Sequence, residues 1–131
     1  KKRKSGQLVG IASVAGIRGL PGSGAYSASK AALINYLESM RIEMLPFNIQ
    51  VTTIAPGYIK TPMTHSNPYA MPFILEVDKA VSLFIKAIDQ KKKFIIIPWQ
   101  MNIVGKLMRL LPASVWDFLA KRGPKKLRAM I

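Results

Sequence analysis

Three short apolar runs, separated by two helix-patterned segments, limit what this chain can fold into more than any other feature. The runs are residues 7–13 (QLVGIAS), 49–55 (IQVTTIA) and 94–97 (FIII). They are nearly continuous rather than alternating, as expected of strands covered on both faces. Between the first two, residues 25–45 contain no Pro or Gly, and Leu33, Ile34, Leu37, Met40, Ile42 and Leu45 recur at helical spacing until Pro46 stops the helix. Between the second and third, residues 78–90 repeat the pattern through Ala80, Val81, Phe84, Ile85 and Ile88. Strand, helix, strand, helix, strand requires crossover connections. The expected class is α/β, a parallel sheet with helices on both faces.

Two stretches fall outside this alternation. Residues 58–73 carry Pro62, Pro68 and Pro72 among Thr, Ser and Asn, and read as a long functional loop without a regular element. From Gln100 onward, Ile103, Val104, Leu107, Met108 and Leu111 form an apolar stripe, with Lys106 and Arg109 off it. Pro112 breaks that helix. Ser114 is placed to cap a second one, apolar through Val115, Trp116, Phe118 and Leu119 and ending near Gly123. A basic amphipathic pair of this kind has three uses: lying on a membrane surface, folding back over a substrate pocket, or packing on a partner subunit.

The net charge of +14 gathers at Lys1, Lys2, Arg3 and Lys4, at Lys91, Lys92 and Lys93, and at Lys106, Arg109, Lys121, Arg122, Lys125, Lys126 and Arg128, where Asp117 is the one acid. It fits a surface that attracts nucleic acid or anionic lipid. It fits better solvated turns and helix ends balanced by acidic polypeptide elsewhere. Aromatic and basic residues do not interleave as in stacking platforms, so no nucleic-acid partner is expected. The absence of cysteine excludes disulfides and thiolate metal sites, and is compatible with a reducing, cytoplasmic setting, with the tail free for peripheral membrane contact. No apolar run approaches the roughly 18–20 residues of a membrane span, and the basic start leads into a strand rather than a secretory signal. His65 is the single histidine, with no second ligand type clustered near it, so no metal site is expected. It reads as an exposed loop residue or a substrate contact. Tyr58, Met63, Tyr69, Met71 and Phe73 are candidates for an apolar pocket wall, or for ordinary packing within the loop.

Tyr26 and Lys30 are four residues apart at the start of the first helix and therefore share a face. A phenol is a weak acid at neutral pH. An ammonium beside it favours the phenolate and brings proton exchange into working range, and the helix N-terminus acts in the same direction. Ser13 stands at the end of the preceding strand, where open α/β sheets place their ligands. Its hydroxyl can hold a substrate carbonyl against Tyr26. Neither the Tyr–Lys spacing nor a lone Ser is specific. Their order is: strand with Ser13, glycine-rich loop, Tyr26, Lys30, helix, strand, Pro56-Gly57, Thr61.

In IASVAG (Ile11 to Gly16), YSASK (Tyr26 to Lys30) and IAPGYIKTPM (Ile54 to Met63), with Ser13 thirteen positions before Tyr26, the chain resembles the short-chain dehydrogenases/reductases. The resemblance implies a Rossmann-like doubly wound parallel sheet, here without its N-terminal half, so that residues 1–131 would form the C-terminal part of one domain. It implies Tyr26 as general acid or base, Ser13 polarising the carbonyl, and Lys30 on the nicotinamide ribose. Pro56, Gly57 and Ile59 would line the nicotinamide, and Thr61 would reach its carboxamide or the phosphates. The implied reaction is hydride transfer between NAD or NADP and a ketone or secondary alcohol, in a homodimer or homotetramer; the tail suggests that the small-molecule substrate is apolar. The family's glycine-rich pyrophosphate turn and catalytic Asn would precede Lys1, and this piece alone would be a poor catalyst. The rival readings are a non-catalytic relative that keeps the fold, which intact Ser13, Tyr26 and Lys30 argue against, and a basic membrane-surface module.

Overall fold

The computed structural model describes residues 2–122; the expected helix end at Gly123 and the charges at Lys1, Lys125, Lys126 and Arg128 lie outside them. Strands β1 (Gly6–Ile11), β2 (Ile49–Pro56) and β3 (Phe94–Ile97) form a parallel sheet in the order β1-β2-β3. Around it lie α1 (Gly24–Glu43), α2 (Pro62–His65), α3 (Val77–Asp89), α4 (Trp99–Leu110) and α5 (Ala113–Arg122). The α/β expectation is met, with strand and helix ends within two residues of those read from the pattern.

The register explains the layering. Ile11 pairs with Ile54, and Pro56 with Ile97. Side chains alternate across a strand, so Val51 and Ala55 face one way and Thr52 and Ile54 the other. On the first face Val51 meets Leu37 and Met44 at the α1 side, while Ala55 meets Ile96 and Met101 of α4. On the second face Ile54 and Ile97 meet Ala87 of α3. Gln7 reaches across this face to Thr52 Oγ1 (3.1 Å) and the Ile88 carbonyl (2.9 Å). The strands run β1-β2-β3 in one direction while α1 and α3 lie on opposite faces. The two crossovers therefore have opposite hands, and one departs from the right-handed rule.

Burial on both faces holds for β2, where Val51 through Pro56 are all buried, but not for β1. Leu8, Val9 and Ile11 are about two-fifths exposed because no strand lies beyond β1 among the described residues. Two further expectations need correcting. Residues 58–73 contain the short helix α2, and Ile59 forms a parallel bridge with Leu75. Helix α5 begins at Ala113, so Ser114 lies inside its first turn rather than capping it. No helix among the described residues is long and apolar enough to cross a membrane.

Candidate functional site

In a parallel sheet all carboxyl ends lie on one edge, and here that edge carries Ser13, Tyr26, Lys30 and Gly57. Pairing continues past β1 through the Ala12 N–H on the Ile54 carbonyl (2.7 Å). Ser13 then turns away as the N-cap of a 3-10 turn, Val14–Gly16, its Oγ accepting from the Ala15 N–H at 3.1 Å. A hydroxyl that accepts still has its own proton to donate.

Gly16 sets the distance between this turn and α1. A Cβ there would stand 2.7–2.9 Å from Lys30 C, Lys30 O and Ala31 N, all backbone atoms that cannot step aside. Only glycine lets the two segments touch. Gly10 acts similarly one layer down, where an added Cβ would run into the Leu37 side chain. The loop from Gly16 to Gly24 is tied to α1 through the Leu20 N–H on Ser27 Oγ (3.3 Å), beside Tyr26 in sequence.

Tyr26, in the first turn of α1, is 45% exposed. Lys30 Nζ stands 5.7 Å from the centroid of the Tyr26 ring and donates to the Ile11 carbonyl at 3.2 Å. The ammonium thus connects the tyrosine's face of α1 with the end of β1. A cation within about 6 Å of a phenol ring is held by the ring's quadrupole.

The residues after β2 have a different setting. Pro56 is buried at the strand's end, and the Gly57 N–H bonds the Ile97 carbonyl at 2.7 Å. The loop base is closed by the Leu75 N–H on the Tyr58 carbonyl (3.0 Å) and the Lys60 N–H on the Leu75 carbonyl (2.9 Å). Thr61 is the N-cap of α2, its N–H bonded to Thr64 Oγ1 at 2.9 Å, and Thr64 Oγ1 donates to the Ile59 carbonyl at 2.6 Å. Of the candidate pocket wall, Met63 is 74% exposed and Phe73 48%, while Tyr58 and Tyr69 sit edge-inclined at 6.3 Å. Burial raises the Tyr58 phenol above its ordinary value, and Tyr69 beside it adds to the rise. His65 is exposed, and the described residues hold no cluster of three His, Cys, Asp or Glu fit for a metal ion.

The sequence matches the short chain dehydrogenase family over residues 1–71, more than half of its length. The chain belongs to that family. An uncharacterised oxidoreductase of Myxococcus xanthus is 40% identical over 121 residues, 92% of this chain and 48% of that protein. The chain thus spans about half the length of this relative. Among solved structures, a short chain dehydrogenase of Burkholderia cenocepacia in complex with NADP aligns with 90% of this chain and 48% of its own at a TM-score of 0.76 and 23% identity, a likeness of fold. A 4-hydroxyisoleucine dehydrogenase complexed with NADH is 32% identical, with a TM-score of 0.59, over 73% of this chain and 46% of its own.

One contact went unread in the sequence. Arg18 donates to the Met108 and Leu111 carbonyls at 2.6 and 2.5 Å and lies 5.1 Å from the Trp116 ring centroid. Nothing in an isolated Arg within a glycine-rich loop signals a partner ninety residues away.

Proposed function

We propose that this chain carries the catalytic half of an NAD(P)-dependent oxidoreductase that moves a hydride between the cofactor and a ketone or secondary alcohol. The observation that carries the reading is Tyr26, half exposed at the carboxyl edge of the sheet with the Lys30 ammonium over its ring. In carbonyl reduction Tyr26 gives its phenolic proton to the substrate oxygen, and in alcohol oxidation it takes that proton back. Ser13, whose Oγ already accepts from Ala15, donates its proton to the same oxygen and orients it. Lys30 stabilises negative charge developing on the phenolic oxygen.

The donor set fits a nicotinamide cofactor. Lys30 uses one N–H on Ile11 and has two more for the ribose hydroxyls. Tyr26, Pro56, Gly57, Ile59 and Thr61 complete this side of the cofactor site, and Gly57 keeps the chain low beside Met101, whose Cγ would lie 2.9 Å from an added Cβ. The cofactor, when bound, supplies or accepts the hydride; the protein supplies orientation and the proton. The NADH complex of the 32% identical dehydrogenase supports this choice of cofactor. In this reading residues 1–131 are the C-terminal part of one domain. Preceding strands cover the exposed β1 edge and bring the pyrophosphate turn, and the 131-residue chain alone binds NADPH weakly. Micromolar NADPH binding by the isolated chain in calorimetry would contradict that division.

The direct test is NADPH or NADH oxidation by the full-length protein with a panel of aliphatic ketones. Tyr26→Phe is expected to lower kcat by about 10²–10⁴ without changing the melting temperature. A Tyr26→Phe protein of undiminished activity excludes the mechanism.

A second reading concerns where the enzyme works. Trp99, Ile103, Leu107 and Leu110 form an exposed apolar stripe on α4, flanked by Lys106 and Arg109. This is the pattern of a helix lying in a lipid interface. Co-sedimentation with anionic but not neutral vesicles, lost at high salt, is the expected result.

A further inference from the structure

Arg18 makes contacts that the proton-transfer reading leaves unused. It leaves the loop between Ser13 and Tyr26, and its guanidinium reaches the last turn of α4, bonding the carbonyls of Met108 and Leu111. Carbonyls at a helix C-terminus have no partner within the helix, so a cation there both satisfies them and meets the negative end of the dipole. The same guanidinium stacks on Trp116 of α5. Next to it in sequence, Ile17 packs on Gly105 of α4, where a Cβ would come within 2.8 Å of the Ile17 side chain. The loop and the α4–α5 pair are therefore fastened at two adjacent points.

Between the fastened parts lies an open groove of ≈ 470 Å³. Leu20 and Pro21 form one wall, Trp116 and Ala120 the other, and Asp117 and Lys121 also line it. Trp116 and Ala120 are one helical turn apart, so they present one face of α5 to the loop. The Leu20 N–H is bonded to Ser27, adjacent to Tyr26. The volume is that of a small-molecule site, and the two walls are apolar.

We propose that Arg18 is a positioning residue that holds α5 over the Ser13–Tyr26 loop, and that the groove so formed receives the alkyl or acyl tail of the carbonyl substrate. This rests on Tyr26 being the proton-transfer residue. Arginine suits the role because a single guanidinium nitrogen, Nη1, donates to both carbonyls while the planar group lies over the indole; lysine, a point charge, lacks that plane.

The test uses the full-length protein and a series of 2-ketones from 2-butanone to 2-decanone. In the parent enzyme kcat/KM is expected to rise about threefold for each added methylene. Arg18→Gln is expected to flatten that slope through KM, losing tenfold or more on 2-decanone with kcat held, while 2-butanone changes by less than threefold; Trp116→Ala should do the same and Arg18→Lys should fall between. Equal losses on short and long ketones, or a slope that survives Arg18→Gln, overturns the proposal. A parent enzyme that reduces no ketone defeats the functional reading instead. The groove is then read separately, from the part of the tryptophan emission that Trp116→Phe removes. 2-Decanone should shift it and 2-butanone should not, and Arg18→Gln should abolish the shift. An emission unmoved by 2-decanone overturns the groove as an apolar subsite.

Discussion

The two sides of the carboxyl edge are held by different forces. From Ser13 to Lys30 the backbone of a 3-10 turn touches the backbone of a helix at Gly16, a fit with no adjustable side chain between. From Pro56 to Leu75 the chain is held by hydrogen bonds at its base, a threonine network and the exposed Lys60–Glu76 ion pair at 2.9 Å. The first side gives the fixed geometry that the proposed proton transfer needs. The second is fastened at its base and exposes the apolar Met63 and Phe73 beyond it, which suits a segment proposed to line a cofactor.

If the first side is the rigid one, its supports should be the costly ones to remove. Leu37→Ala takes away the side chain that packs α1 over Gly10 and Val51, and should cost about 2–5 kcal/mol in chemical denaturation. Gly16→Ala forces the turn away from Lys30. It should cost about 1–3 kcal/mol of stability and lower kcat more than it raises KM, because it moves Ser13 relative to Tyr26. On the second side Thr64→Val removes the bonds to Ile59 and Thr61, and should cost about 1 kcal/mol. Its faster proteolysis should be confined to residues 58–75, with kcat little changed. If Thr64→Val proves as damaging to kcat as Gly16→Ala, the contrast between the sides is wrong.

The smallest effect is titrational. The Tyr58 phenol is raised by burial and by Tyr69, so the folded state keeps its proton to higher pH than the unfolded state does. Its neutral form is the one that fits. Stability is unaffected below the ordinary tyrosine value of about 10 and falls as pH rises from there through the folded value. Tyrosinate absorbance should show one group titrating late that Tyr58→Phe removes, and the alkaline loss of stability should shrink in the same variant.

Most of this architecture is legible in the sequence because each strand is a compact apolar run and each helix keeps its period. Ile54, Leu37 and Ala80 are buried as that pattern demands. The exceptions are Ile42, Leu45, Val81 and Ile85, exposed despite their helical spacing, and β1, as apolar as β2 yet exposed, because composition says what an element can bury and only its neighbours decide whether it does. Tyr26 and Lys30 were readable from local spacing. Arg18 was not, since its partners come from a helix end in the tail, and helix α2 was hidden by prolines that also begin helices, as Pro62 does here. The opposite hands of the crossovers leave no mark in periodicity at all.

The account depends on Ser13 and Tyr26 acting on one substrate oxygen. The most direct measurement is a double-mutant cycle on ketone reduction with Ser13→Ala and Tyr26→Phe in the full-length protein. Groups that work as a unit are strongly non-additive, so the pair should lose little more kcat than the worse single variant. Losses that multiply, with the double variant falling by the product of the two, would mean that the two hydroxyls serve separate steps.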